Sequence, residues 1–183
     1  KDESKIIGND EDIHSCVERL TTEKLGDLGK KIHTGKSRND QVVTDEKLYL
    51  KDEIKSIINN LEGVLKTIWD AAKNNLSIIF PGCTHFQPAQ PVLLAHYLLA
   101  YFEMLARDRL RFEQNLENLD FCPLGSGALA GNNYQLDRAA IARELGFSKL
   151  SKNSMDAVAD RDFVLEFAAN AAICSIHLSI EIE

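Results

Sequence analysis

The 183 residues carry 21 Lys and Arg against 28 Asp and Glu, a formal net charge of −7, with 44% apolar and 27% charged side chains. This is the balance of an ordinary globular protein with a core to bury, and its acidity argues against nucleic acid or an anionic membrane as the general partner. An anionic ligand would have to be held by cations gathered locally.

A first short helix is expected where Asn9 and Asp10 stand as caps before apolar Ile13, Val17 and Leu20, with Gly26 past its end. The run HTGKSRNDQ, residues 33–41, follows without a single apolar residue. From about Asp40, apolar side chains at Val43, Leu50, Ile54, Ile57, Leu61, Val64, Ile68 and Ala72 recur in steps of mostly three, four or seven. That is the helical period, kept for about nine turns.

Three of the four prolines fall in FPGCTHFQPAQP, residues 80–91, which reads as a rigid extended turn, with Pro91 suited to the first turn of the next helix. That helix is apolar on every side as far as Ala106 and amphipathic beyond, as for a helix that begins inside a bundle and emerges into water. CPLGSGALAGNN, residues 122–133, holds three glycines and a proline and reads as a loop that turns sharply or comes close to another group. No strand is expected before it and no Gly-Lys-Ser/Thr follows, which argues against a phosphate loop. A short helix over 136–145 stops at Gly146, and a last helix starts near Ser154 or Asp156 and runs to the terminus with no stop signal. The expectation is a piece of a longer protein.

No internal repeat and no long period-two alternation is present, so the expected fold is all-α. Helices of about 30 residues span about 45 Å each and should pack side by side and against copies of themselves. Cys16, Cys83, Cys122 and Cys174 are far apart and read as reduced thiols. Cys174 and His177 could share a helix face, but two ligands in an apolar stretch do not make a zinc site, so they read as core residues, as does His96. Arg107, Asp108 and Arg109 interrupt the best candidate for a membrane span.

Three segments are polar or irregular beside helices that look buried: 33–41, 81–91 and 122–133. Buried polar groups need partners, so these loops satisfy either one another or a ligand. In the first, Asp40 or Asn39 can cap the long helix while Ser37, Arg38 and Asn39 offer donors to an oxygen-rich ligand; the alternative is a capping loop with a solvated cation. In the second, Thr84, His85 and Gln87 sit between prolines, so a pre-organised His85 could serve as general acid or base with Thr84 and Gln87 orienting a substrate. A satisfied structural histidine is the competing reading.

GKKIHTGKSRNDQVVTD, FPGCTHFQPAQPVLLAHYLLAYFEMLARD, PLGSGALAG and NSMDAVADRDFVLEF, in this order, resemble the argininosuccinate lyase and delta-crystallin family of the fumarase/aspartase superfamily. The resemblance implies an all-α long-helix bundle assembled into a homotetramer with a central helical bundle. Residues 1–40 would close an N-terminal helical domain and 41–183 open the central bundle domain. It further implies a cytoplasmic enzyme that cleaves argininosuccinate reversibly into arginine and fumarate without metal or cofactor, at active sites shared between subunits. By the same resemblance Ser37, Arg38 and Asn39 bind the substrate's carboxylates and amino acid portion, Thr84 contacts substrate, His85 transfers a proton, and His14 lines the site. Lys36 stands where the family usually has Arg, which keeps the charge and loses a bidentate fork. The family's catalytic serine loop is expected after Glu183 and a substrate-binding segment before Lys1. A crystallin-like structural protein and another superfamily enzyme such as adenylosuccinate lyase are the competing functions.

Overall fold

The computed structural model describes residues 10–179. Helix α1 (Ile13–Leu25) leads through a 3-10 segment, Gly26–His33, to the long α2 (Arg38–Asn74). Strands β1 (Ile79–Thr84) and β2 (Gln87–Leu93) form a hairpin, followed by α3 (Leu94–Leu119), β3 (Phe121–Cys122), α4 (Arg138–Glu144), β4 (Lys149–Leu150), α5 (Ser154–Ala159) and α6 (Asp162–Ser179).

The bundle of α2, α3 and α6 carries the core. Buried Val43, Leu50, Ile54, Leu61 and Leu65 on α2 follow steps of seven and four, and Leu105, Phe112 and Leu119 on α3 follow steps of seven. This spacing puts one apolar seam on each helix facing the other, joined by Phe163 and Cys174 of α6. Full burial of each large side chain contributes about 1.5–3 kcal/mol. A smaller cluster of Cys122, Ala142 and Phe147 seats α4 beside the parallel pair β3–β4, against Leu48 of α2.

Several polar side chains inside the bundle are paired across elements. The fully buried Asp108 meets Arg111 at 2.8 Å and His177 Nδ1 of α6 at 2.7 Å. Asn115 Nδ2 donates to Phe163 O at 3.2 Å and Glu166 Oε2 at 3.0 Å. The buried Lys47 reaches Asp160 at 3.0 Å and lies over the Phe163 ring. A buried charge without such a partner would cost several kcal/mol, about 3–5 in mutational series.

The helical architecture agrees with the expectation, and four local expectations are corrected. Helix α1 is capped by Asp12, whose carboxylate accepts from Ser15 N at 2.7 Å; Asp10 instead pairs with Arg19, and Asn9 lies outside the described residues. The segment read as an extended turn is a two-stranded antiparallel ribbon with a bulge between Gly82 and Cys83. Pro91 belongs to β2 and α3 begins three residues later; a lone ribbon has two free edges, so prolines fit where no ladder N–H is needed. The last helix is broken at Asp160 and Arg161, because the Asp160 carboxylate accepts from Asp162 N at 2.9 Å and restarts the chain as α6. His96 is exposed rather than core, whereas Cys174 is buried and His177 is held by Asp108.

Candidate active site

The polar run 33–41 ends at the head of α2. Ser37 has extended backbone and is the cap: its Oγ accepts from Asn39 N at 3.3 Å, and its own N–H donates to Asp40 Oδ1 at 2.8 Å. Ser37 and Asp40 thus form a capping box, with the serine in the position expected of Asp40 or Asn39. Asp40 is wholly buried, and its second oxygen accepts from Gly125 N at 2.9 Å and Gly127 N at 2.8 Å. The glycine-rich loop therefore folds onto the helix head.

That loop needs its glycines. Gly127 has φ 65°, and a Cβ there would lie 2.4 Å from Gly131 O, closer than any real contact. Gly131 N donates to Ser126 O at 2.7 Å, closing the turn. The loop presents Ala128 O to Asn39 Nδ2 at 3.0 Å, the side chain of Asn39 being otherwise exposed. Between the loop and the segment before α2 lies an open depression of about 520 Å³, lined among others by Lys30, His33, Lys36, Ser37 and Ala128. Of the two lysines in this hollow Lys30 is already paired with Asp27 at 2.7 Å, so Lys36 is the local cation that an anionic ligand would meet.

Arg38 does not extend into solvent. Its Nε pairs with Asp12 at 2.9 Å, Nη1 with Glu18 at 3.2 Å and Gln41 Oε1 at 2.7 Å, and Nη2 with Ser15 Oγ at 3.2 Å. The guanidinium ties α1 to α2, which differs from both the ligand-facing fork and the solvated cation. Asp12 is held below its ordinary carboxylate value, first by the Ser15 N–H and also by Arg38. His14, largely buried, sets Nδ1 3.2 Å from Asp45 Oδ2 on α2. Burial raises the Asp45 carboxyl against the opposing pull of His14, Lys36 and Arg38. His14, Ser37, Arg38 and Asn39 therefore share one corner of the molecule.

Thr84, His85 and Gln87 do not join them. Thr84 pairs with Gln87 across the hairpin end, and the two residues between, His85 and Phe86, have φ 51° and 61°. Positive φ at both centres is the type I′ pattern that matches strand twist, here without the usual Asn or Gly. Each such residue costs about 1–2 kcal/mol. All four side chains are exposed, Phe86 at 78%. The hairpin leaves from the far end of α2 and rests on α3 through the Phe80 and Tyr97 rings, 5.0 Å apart. The 37 residues of α2 span about 55 Å, and a six-residue strand reaches about 20 Å. From Asn74 the eleven residues to His85 reach at most about 36–40 Å even fully extended back along the helix, so His85 and Asn39 stay at least about 12 Å apart.

Sequence reasoning missed the Asp40 clamp on the glycine loop and the Asp12 and Glu18 partners of Arg38. The signals were a carboxylate three residues after a serine cap and glycines at alternate positions, neither of which names its partner.

The chain matches the family model described as lyase over residues 1–180. It is 53% identical over 180 residues, 97% of this chain and 41% of the relative, to an argininosuccinate lyase of Thermoanaerobacter sp. (strain X514). It is 52% identical over 177 residues, 97% of this chain and 40% of the relative, to that of Caldanaerobacter subterraneus subsp. tengcongensis. The chain thus spans about two fifths of the length of these relatives. Among solved structures, EDDS lyase in complex with formate superposes with a TM-score of 0.82 at 31% identity, over 90% of this chain and 32% of that one. Sequence and fold agree along the same residues, and the chain belongs to the lyase family of the fumarase/aspartase superfamily.

Proposed function

We propose that the protein is an argininosuccinate lyase, which removes a proton from the carbon beside one carboxylate of argininosuccinate and expels the guanidino nitrogen, giving fumarate and arginine reversibly. The observation that carries this reading is the 53% identity along 97% of the chain to an enzyme of that name. The geometry supports it. A dianionic carbanion intermediate needs cations and hydrogen-bond donors, and the hollow beside Ser37 brings Lys36 and the Ser37 hydroxyl toward that need.

In this reading Asn39 and Ser37 bind the substrate, the serine donating its O–H while its oxygen serves the cap, and His14 borders the same corner. Arg38 contributes by holding α1 in place. His85 transfers a proton, with Thr84 and Gln87 beside it on the hairpin, and no metal or cofactor takes part. Because Asn39 opens α2 and the hairpin carrying His85 leaves from the opposite end of that helix, a site using both draws them from different copies. A homotetramer built on α2, α3 and α6 meets that need and covers exposed Trp69, Leu165, Ile176 and Leu178. No helix of the described residues is long and apolar enough to cross a membrane, and the proposed place of work is the cytoplasm.

The test is ultraviolet detection of fumarate released from argininosuccinate by the full-length protein, with adenylosuccinate as the competing substrate. Turnover of argininosuccinate alone is expected. Preference for adenylosuccinate would assign another superfamily reaction, and turnover of neither would favour a crystallin-like role.

A further inference from the structure

We infer that Asp40 is a positioning residue for Asn39, acting through the glycine-rich loop 123–131; the inference rests on the proposed substrate-binding role of Asn39. The two side chains are neighbours in sequence but do not bond each other. Asp40 turns inward and is fully buried, with its two oxygens accepting from three backbone N–H groups, of Ser37, Gly125 and Gly127. Asn39 turns outward, and its amide nitrogen is held by the carbonyl of Ala128, one residue beyond the second glycine. The path runs from the Asp40 carboxylate through the loop backbone to the Asn39 amide.

The physical reason for such a path is the symmetry of an amide. An exposed asparagine can present oxygen or nitrogen on either side with little difference in energy, and one fixed acceptor removes that ambiguity. With Nδ2 donating to Ala128 O, Oδ1 and the second N–H are fixed in direction as well. Ala128 O can do this only if the loop is rigid, and the loop contains three glycines, each costly to order. The Asp40 carboxylate supplies the rigidity: its bonds to backbone N–H groups are charge-assisted and shielded from water.

The experiment is a double-mutant cycle in the full-length enzyme. Asp40→Asn keeps the shape but sets an N–H₂ group against one of the three N–H donors. Its kcat/KM for argininosuccinate should fall about tenfold or more in the wild-type background, the usual cost of one unpaired buried donor. On an Asn39→Ala background the same change should cost about twofold or less, because coupled residues are not additive. A merely structural Asp40 would cost the same factor in both backgrounds, and that outcome overturns the inference. Hydrogen exchange in peptides covering 123–131 should accelerate in Asp40→Asn while α3 and α6 stay protected; unchanged loop exchange overturns it too. If Asp40→Asn does not fold, Gly127→Ala shifts the loop with Asp40 intact and should show the same dependence on Asn39. A wild-type enzyme inactive on argininosuccinate would count against the proposed function, and loop exchange, which needs no turnover, would still support or overturn the clamp.

Discussion

On the proposed shared site, two impaired variants, Asn39→Ala and His85→Asn, should regain activity when assembled together. The reason is length. Asn39 opens a helix of 37 residues and His85 tips the hairpin that follows its far end, so at least about 12 Å separates them even with the connecting chain fully extended back along the helix. A reacting carbon must lie within about 3–3.5 Å of the groups that act on it, and no residue of the hairpin lines the hollow at the head of α2, so one chain as folded does not bring the two groups together there. In a tetramer assembled at random from equal parts of the two variants, a site has about one chance in two of receiving an intact Asn39. It has the same chance of an intact His85 from another copy, so about one quarter of the sites should be whole. The assay is fumarate release by variants denatured and renatured together, set against the same variants renatured apart and then combined. A gain toward one quarter of wild-type activity is expected from the first preparation only. Hybrid tetramers verified by native mass spectrometry that show no gain would refute the reasoning, because Asn39 and His85 would then serve one site from one chain or not share a site at all.

His85→Asn alone should lower kcat by about 10²–10⁴ with the tetramer intact by light scattering, the usual share of a general acid or base; a loss below about threefold would return His85 to a structural role. Phe112→Ala should cost about 3–5 kcal/mol in urea unfolding, since Phe112 is 1% exposed at the centre of the α2–α3–α6 seam. Acid should weaken the lobe held by Asp120. Burial pushes its carboxyl up, but Lys51 together with the Ser148 hydroxyl and N–H outweighs burial and leaves it below its ordinary value of 3.8. A depressed carboxyl stabilises fully above that value and loses its contribution as pH falls below it. The difference in urea midpoint between wild type and Asp120→Asn should therefore be widest near neutrality and shrink below pH 3.8; a gap that does not change with pH would contradict this assignment.

The sequence by itself determined the long helices and where they are interrupted. Apolar side chains at Val43, Leu50, Ile54 and Leu61 can meet a common partner only on a helix, and glycines or prolines at 80–91 and 122–133 forbid its continuation. These are local properties, decided within a few residues. The hairpin was not readable in the same way, because β2 is almost wholly exposed, β1 is at most half-buried, and no apolar alternation marks either strand. The partners of the polar residues were decided only by tertiary structure. Asp40 meets glycines 85 and 87 positions along the chain, Arg38 reaches back 20 and more to α1, and His96 faces outward although its neighbours are apolar. A charged or amide side chain bonds whichever group the packing brings within about 3 Å, so its role depends on where distant backbone comes to rest, which no local pattern of residues encodes.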